Sequence, residues 1–141
     1  MSKVAVVYWS GTGNTEAMAN AVVEGAAAKG AEAALIAAAD FDASQVDAYD
    51  AIAFGCPAMG DEVLEEDEFA PMFEGVESKL SGKKIALFGS YGWGDGEWMR
   101  SWEETAKGDG AVLVADSLIV NEAPDDEGLA QCKALGEALV G

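Results

Sequence analysis

Apolar residues along this chain fall into two kinds of pattern. Short unbroken runs, Val4-Ala5-Val6-Val7, Ala51-Ile52-Ala53-Phe54 and Ile85-Ala86-Leu87-Phe88, carry no polar alternation, which predicts strands buried on both faces. Between these runs the apolar positions recur at helical spacing. Met18, Ala19, Val22, Val23 and Ala26 predict a helix from Asn14 to Lys29, with Gly30 as its stop. A short helix is expected near Ser44 to Val46. Phe69, Met72, Phe73 and Val76 predict the buried side of a third helix, with Glu65 to Glu68 at its start, where negative charge suits the dipole, and Pro71 in its first turn. Glu97 to Lys107 is a fourth helix, and Asp125-Asp126-Glu127 opens a C-terminal one whose Leu129, Cys132, Leu135 and Leu139 read as core. Two weaker strands complete the pattern: the alanine-rich Ala31 to Ile36, and Ala111 to Val120, interrupted around Asp116 and Ser117.

Strand and helix therefore alternate through the whole length. The expected fold class is α/β: a doubly wound five-stranded parallel sheet of order 2-1-3-4-5 between two helix layers, a three-layer sandwich. At 141 residues the chain reads as a single domain, 1–141, long enough for a real core. No apolar run approaches the ~20 residues of a membrane span. Met1-Ser2-Lys3 passes straight into the first strand, so no signal peptide is expected.

Charge narrows the partners. Asp and Glu outnumber Lys and Arg by 26 to 8, a net charge of −18, which repels nucleic acid and anionic membrane and steers basic protein partners with a salt-dependent rate. Half of the residues are hydrophobic, which argues against disorder. Histidine is absent, which excludes hydrolase chemistry built on that side chain. Cys56 and Cys132 match no metal or thiol-redox spacing. Cys56 stands at a strand end and reads as a small buried hydrophobe; Glu62 occupies the position where a Cys-x5-Arg phosphatase loop needs arginine. A reducing, cytoplasmic setting is expected.

The chemistry is concentrated after the strands. Trp9-Ser10-Gly11-Thr12-Gly13-Asn14-Thr15 joins the first strand to the first helix with hydroxyls and glycines. Such a loop presents backbone N–H groups and a helix N-terminus to an anion; the alternative is an ordinary strand-to-helix turn. It contains no Lys or Arg, so it is not a Walker loop, and Glu16 stands where the dinucleotide pattern needs a third glycine. In a sheet of this order ligands sit beyond the C-terminal strand ends, where strands one and three flank the switch point. The loops after strands three and four each place a large apolar residue, Met59 and Trp93, among glycines. A flat apolar ligand between them fits such loops. One phosphate and one ring system point to a mononucleotide, and FMN fits best.

These three stretches resemble the flavodoxin family, in its short-chain bacterial form. Ser10-Gly11-Thr12-Gly13-Asn14-Thr15 looks like the flavodoxin phosphate loop, and Pro57-Ala58-Met59-Gly60-Asp61-Glu62 and Ser90-Tyr91-Gly92-Trp93-Gly94-Asp95 look like its two flavin-ring loops. Flavodoxin is itself a standard instance of this sheet order with FMN at the switch point. The chain lacks room for the loop that splits the last strand in long-chain relatives.

The resemblance implies FMN as cofactor. It assigns the phosphate to Ser10, Thr12, Asn14 and Thr15 with the N–H groups of Gly11 and Gly13, under Trp9. Met59 is implied on the inner ring face and Trp93 on the outer face. Ala58, Ser90, Tyr91 and Gly92 are implied along the ring and ribityl chain with Asp95 nearby, and Glu62 as acceptor for the flavin N3–H. It further implies a low-potential one-electron carrier, not an enzyme, working chiefly between the semiquinone and hydroquinone of FMN. The peptide at Gly60-Asp61 is implied to flip so that the Gly60 carbonyl accepts from the reduced flavin's N5–H, a turn that glycine permits. One carboxylate ~10 Å from the ring, at an effective dielectric of ~40, disfavours an anionic flavin by roughly 0.8 kcal/mol, about 35 mV. The acids at Asp61, Glu62, Glu65 to Glu68, Asp95, Glu97, Glu122 and Asp125 to Glu127 are all expected at that end of the sheet. Expected partners are basic-faced redox proteins, donors and acceptors, with the chain itself a monomer.

Two other functions compete for the same fold. An FMN-dependent reductase of related fold needs space beside the ring, which Trp93 is expected to cover. A receiver domain needs an acidic pair at the end of the first strand, where Tyr8 and Trp9 stand. Trp98 and Trp102, one helical turn apart, are expected to be packing.

Overall fold

The computed structural model describes residues 2–11, 13–59, 63–92, 94 and 96–140. In chain order the elements are β1 (Lys3–Tyr8), α1 (Asn14–Ala28), β2 (Glu32–Ala37), α2 (Ala43–Val46), β3 (Ala51–Gly55), α3 (Phe69–Val76), β4 (Lys84–Tyr91), α4 (Glu97–Gly108), β5 (Val112–Leu113), β6 (Leu118–Asn121) and α5 (Asp126–Leu139). All pairings in the sheet are parallel, in the order β2-β1-β3-β4-β5, with β6 also paired to β4. β5 pairs with the start of β4 and β6 with its end. They occupy one edge position broken at Asp116-Ser117, where the Ser117 hydroxyl bonds the Glu103 carboxylate on α4. The expected interruption is therefore real, and the doubly wound order is the expected one.

Period-two alternation along the central strands sends their side chains to opposite faces. Val4, Val6, Ala51, Ala53, Ala86 and Phe88 pack under α1 and α5. Ala5, Val7, Ile52, Phe54, Ile85 and Leu87 pack under α3 and α4. All twelve are fully buried, as unbroken apolar runs require. β2 forms despite its alanines because it pairs in register with β1 from Lys3↔Glu32 to Tyr8↔Ala37. α1 ends as expected: Gly30 takes φ +89°, and the amides of Lys29 and Ala31 fold back to the Ala26 carbonyl.

Two expectations are corrected. α3 begins at Phe69, so Glu65 to Glu68 precede the helix. Glu65 is buried, and its carboxylate accepts the amides of Asp67 (2.7 Å), Glu68 (2.7 Å) and Phe69 (2.8 Å). A side chain that serves the orphan donors of a first turn stands outside that turn. Leu129 is half-buried at the margin of the core rather than inside it. Cys132, Leu135 and Leu139 are buried as expected.

Candidate functional site

The loops after β1, β3 and β4 converge on one cavity of about 240 Å³ at the C-terminal ends of the strands. Trp9, Gly11 and Asn14 line it from the first loop, Pro57, Ala58 and Met59 from the second, and Ser90, Tyr91 and Gly92 from the third. Glu122, just past β6, closes one side and is the only charged residue of the lining among the described residues. It takes φ 58°, in the left-handed region that non-glycine residues rarely adopt, and its amide bonds the Tyr91 carbonyl at 2.7 Å.

The first loop is built around a glycine. Gly13 takes φ 94°, immediately before α1, and its amide bonds the Ser10 hydroxyl at 3.1 Å. Among the described residues no side chain caps α1, so the donors of its first turn are open to an anion held in the loop. Trp9 lies over Gly11 so closely that a Cβ there would sit 3.0 Å from the indole ring. Its indole N–H donates to the Glu68 carboxylate at 2.9 Å. Thr15 and Ser90, both buried, share a 2.9 Å hydroxyl–hydroxyl hydrogen bond that ties the first loop to the third.

The second loop is pinned from below. The Cys56 amide bonds the Phe88 carbonyl, and the Ala58 amide bonds the Ser90 carbonyl. Trp98 on α4 donates its indole N–H to the Cys56 carbonyl at 3.2 Å, and Gly89 is required beneath, because a Cβ there would lie 2.1 Å from the same oxygen. Burial pushes the Cys56 thiol up to about 12, so it stays protonated and unreactive at neutral pH. Its sulfur accepts the Glu65 amide. Burial alone would raise the Glu65 carboxyl, but the three backbone amides it accepts outweigh that and hold it below the ordinary value of 4.5.

Of the residues singled out in the sequence, the cavity gathers Trp9, Gly11, Asn14, Ala58, Met59, Ser90, Tyr91 and Gly92. Ser10, Gly13 and Thr15 shape the first loop without lining the cavity. Thr12, Gly60, Asp61, Glu62, Trp93 and Asp95 lie outside the described residues. Pro57, which opens the second ring loop, and Glu122, expected among the acids at this end of the sheet, also line the cavity. Glu65, Glu68 and Trp98, assigned only to charge or packing, prove to hold the loops in place. Their signal was the acid-rich stretch before α3 and a tryptophan at the second position of α4.

Charge is distributed by pole. Lys79, Lys83 and Lys84 line a polar depression with Asp47 and Asp50 at the opposite, N-terminal ends of the strands. Among the described residues no Lys or Arg lines the cavity, and no His/Cys/Asp/Glu group is arranged to hold a metal. No described helix is long and apolar enough to cross a membrane.

Fold and site together define a doubly wound α/β protein that takes a singly phosphorylated, flat-ringed cofactor at its switch point. The donor set fits FMN: an uncapped helix N-terminus and hydroxyl-bearing loop for one phosphate, and a cavity walled by Ala58, Met59 and Tyr91 for the ring. Comparison with known proteins identifies the kind. The flavodoxin family model matches residues 6–136. The chain is 51% identical to a flavodoxin of Clostridium beijerinckii over 121 residues, 86% of this chain and 88% of that one. It is 48% identical to a flavodoxin of Megasphaera elsdenii over 135 residues, 96% of each. The solution structure of two-electron reduced Megasphaera elsdenii flavodoxin superposes with a TM-score of 0.90, covering 97% of this chain and 98% of that one. The chain belongs to the flavodoxin family. Its cofactor is FMN, and its role is electron transfer rather than turnover of a substrate.

Proposed function

We propose that residues 1–141 form one FMN-binding domain that carries single electrons at low potential between basic-faced redox proteins, in the cytoplasm and as a monomer. The observation that carries this reading is the meeting of three sequence-distant loops on one cavity with no cation in its lining. FMN supplies the one-electron chemistry when bound, and the protein's part is to hold, orient and bias it. Ser10, Asn14, Thr15 and the amides of Gly11 and Gly13 would hold the phosphate, with Thr12 among them. Ala58, Met59, Ser90, Tyr91 and Gly92 would hold the ring and its side chain, and Gly60, Asp61, Glu62, Trp93 and Asp95 would complete that set. Acids near the ring, Glu122 among them, would disfavour added negative charge on it, which lowers the potential of the couple it serves. The −18 net charge favours basic partners and makes encounter rates fall with salt.

A phosphate held by loop amides must matter to affinity. Apoprotein titrated by flavin fluorescence should bind FMN at least ~100-fold more tightly than riboflavin, as a few charge-assisted hydrogen bonds worth roughly 1.5–3 kcal/mol each would give. Equal affinities would remove the loop from the account. Potentiometric titration of the reloaded protein should resolve two separated one-electron steps, and a single two-electron step would sink the carrier reading.

A further inference from the structure

We propose that the groove between α3 and α4 is a docking site for a basic protein segment that seats one large apolar side chain between the two helices. The groove has a volume of about 400 Å³ and runs alongside Phe73 on α3 and Trp98 and Trp102 on α4. Val63 and Leu64 open one end, and Val63 is 40% exposed, among the few large apolar residues left to solvent. This apolar floor is edged by Glu66, Glu74 and Glu77, and no Lys or Arg lines it.

Two features separate the groove from an idle crease. Trp102 is 2% exposed, yet its indole N–H has no hydrogen-bond partner among the described residues. Buried donors are rarely left so, and each one calls for an acceptor. The rim also carries unrelieved negative charge. Glu77 lies close enough to Asp109 and Glu74 that both raise its carboxyl, after burial, above the ordinary value. A Lys or Arg arriving at the rim relieves that repulsion, and a small shift of Trp102 would bring its indole N–H, sealed from solvent as it stands, within reach of a peptide carbonyl.

The charge also decides among occupants. A second copy of the chain would bring the same acids against this rim, and nucleic acid or anionic lipid is repelled for the same reason. A basic segment with an apolar anchor is the complement. Its position matters because Val63 and Leu64 lie on the same β3–α3 connection as the cavity residues Pro57 to Met59, and because Trp98 lines the groove while its N–H holds the Cys56 carbonyl at the root of that connection. A partner anchored here is held beside the flavin loops without covering the cavity itself. The proposal rests on the carrier reading for the identity of the partner class, but not for the existence of the groove.

The test uses ¹⁵N-labelled, FMN-loaded protein at low salt and two blocked hexapeptides, Lys-Lys-Phe-Leu-Lys-Lys and Lys-Lys-Ser-Ser-Lys-Lys. The first should give saturable shifts of the Trp102 and Trp98 indole N–H signals and of the Phe73 and Ser101 amides. The second, with the same charge, should bind at least ~10-fold more weakly, the ratio expected when one buried apolar side chain is lost. Ala70→Arg should weaken the first peptide about as much by filling the groove and answering its charge. Thr105→Arg, on the exposed side of α4, does the same without touching the core, so a misfolded Ala70 variant does not leave the question open. Indistinguishable peptides, shifts scattered over the acidic surface, or variants that bind undiminished would overturn the groove. A protein that neither holds FMN nor passes single electrons would overturn the carrier reading, and with it the redox identity of the partner, while the peptide shifts still decide the groove.

Discussion

The face of the sheet under α1 and α5 is built from small residues, and the face under α3 and α4 from aromatic ones. On the first, Ala19, Ala21, Val22 and Ala26 meet Cys132, Leu135 and Leu139, and the helices touch through their backbones. A Cβ on Gly25 would lie 1.9 Å from the Lys133 carbonyl oxygen, and one on Gly136 would lie 2.0 Å from the Val22 carbonyl oxygen. On the second, rings meet edge to face: Phe54 on Phe73 at 5.2 Å, Phe69 on Trp102 at 5.3 Å and Phe73 on Trp102 at 5.7 Å. Edge-to-face rings bury much area and add roughly 0.5–1.5 kcal/mol per pair, but bulky side chains hold the helices apart. The tight face leaves no room for a ligand between its helices, whereas the aromatic face leaves the groove between α3 and α4. Rigidity and recognition are thus assigned to opposite sides of one sheet, with the flavin loops at their common edge.

The comparison breaks most visibly at the glycines. Gly25→Ala forces two helix backbones apart, and we expect a loss of about 3 kcal/mol in urea unfolding, at the upper end for overpacking. Gly136→Ala should cost about as much, and the double variant less than the sum, because both act on one contact. A loss under ~0.5 kcal/mol would mean that the α1–α5 contact is loose after all.

Next in size is the acid that organises the aromatic side's loop. Glu65→Ala leaves three amides unserved in a buried place and should cost about 2–3 kcal/mol, with weaker FMN binding because the loop before α3 loses its anchor. Glu65→Gln, which keeps one acceptor, should fall between. The sign with pH follows from the lowered carboxyl. Its stabilisation is complete above the ordinary value of 4.5 and is lost as pH falls through the lower folded value. Acid unfolding of the Gln variant should therefore begin from a lower plateau and show a shallower limb, and matching limbs would remove Glu65 from the account.

The smallest effect belongs to the groove rim. The raised Glu77 carboxyl favours the folded state only where it is protonated. Its contribution is present below the ordinary value of 4.5 and is lost as pH rises through the folded value. Glu77→Gln should accordingly stabilise the protein at pH 7, by no more than a few tenths of a kcal/mol because solvent screens the site, and give no gain near pH 4. Calorimetry at the two pH values checks the sign.

Much of this was legible in the residues. Val4 to Val7, Ala51 to Phe54 and Ile85 to Phe88 announced the buried parallel strands, and Asp116-Ser117 announced the broken one. Ser10 to Thr15 announced the anion loop. What stayed hidden depended on contacts distant in sequence. Nothing in the local sequence marks Gly25 and Gly136, which on helix propensity alone are unfavourable and are explained only by the opposed helix. Glu65 looked like a favourable charge inside a first turn because a capping carboxylate and a dipole-compensating one have the same sequence signature. Glu122 could not be placed on the cavity until the edge strand brought it to Tyr91. Trp98 read correctly as packing, but its N–H serves a carbonyl 42 positions earlier in the chain, which helical spacing alone does not disclose.

The break between β5 and β6 carries a consequence for how such a chain can change. The Val114 amide still bonds the Ile85 carbonyl, and the ladder resumes only at Leu118 opposite Phe88. An insertion there would interrupt no ladder pairing and displace no fully buried side chain, only the partly buried Val114 and Ala115, so the edge of the sheet is a ready port for added segments. The same shortness protects the chain as it stands, because an edge this fragmented offers a poor template for a stray strand.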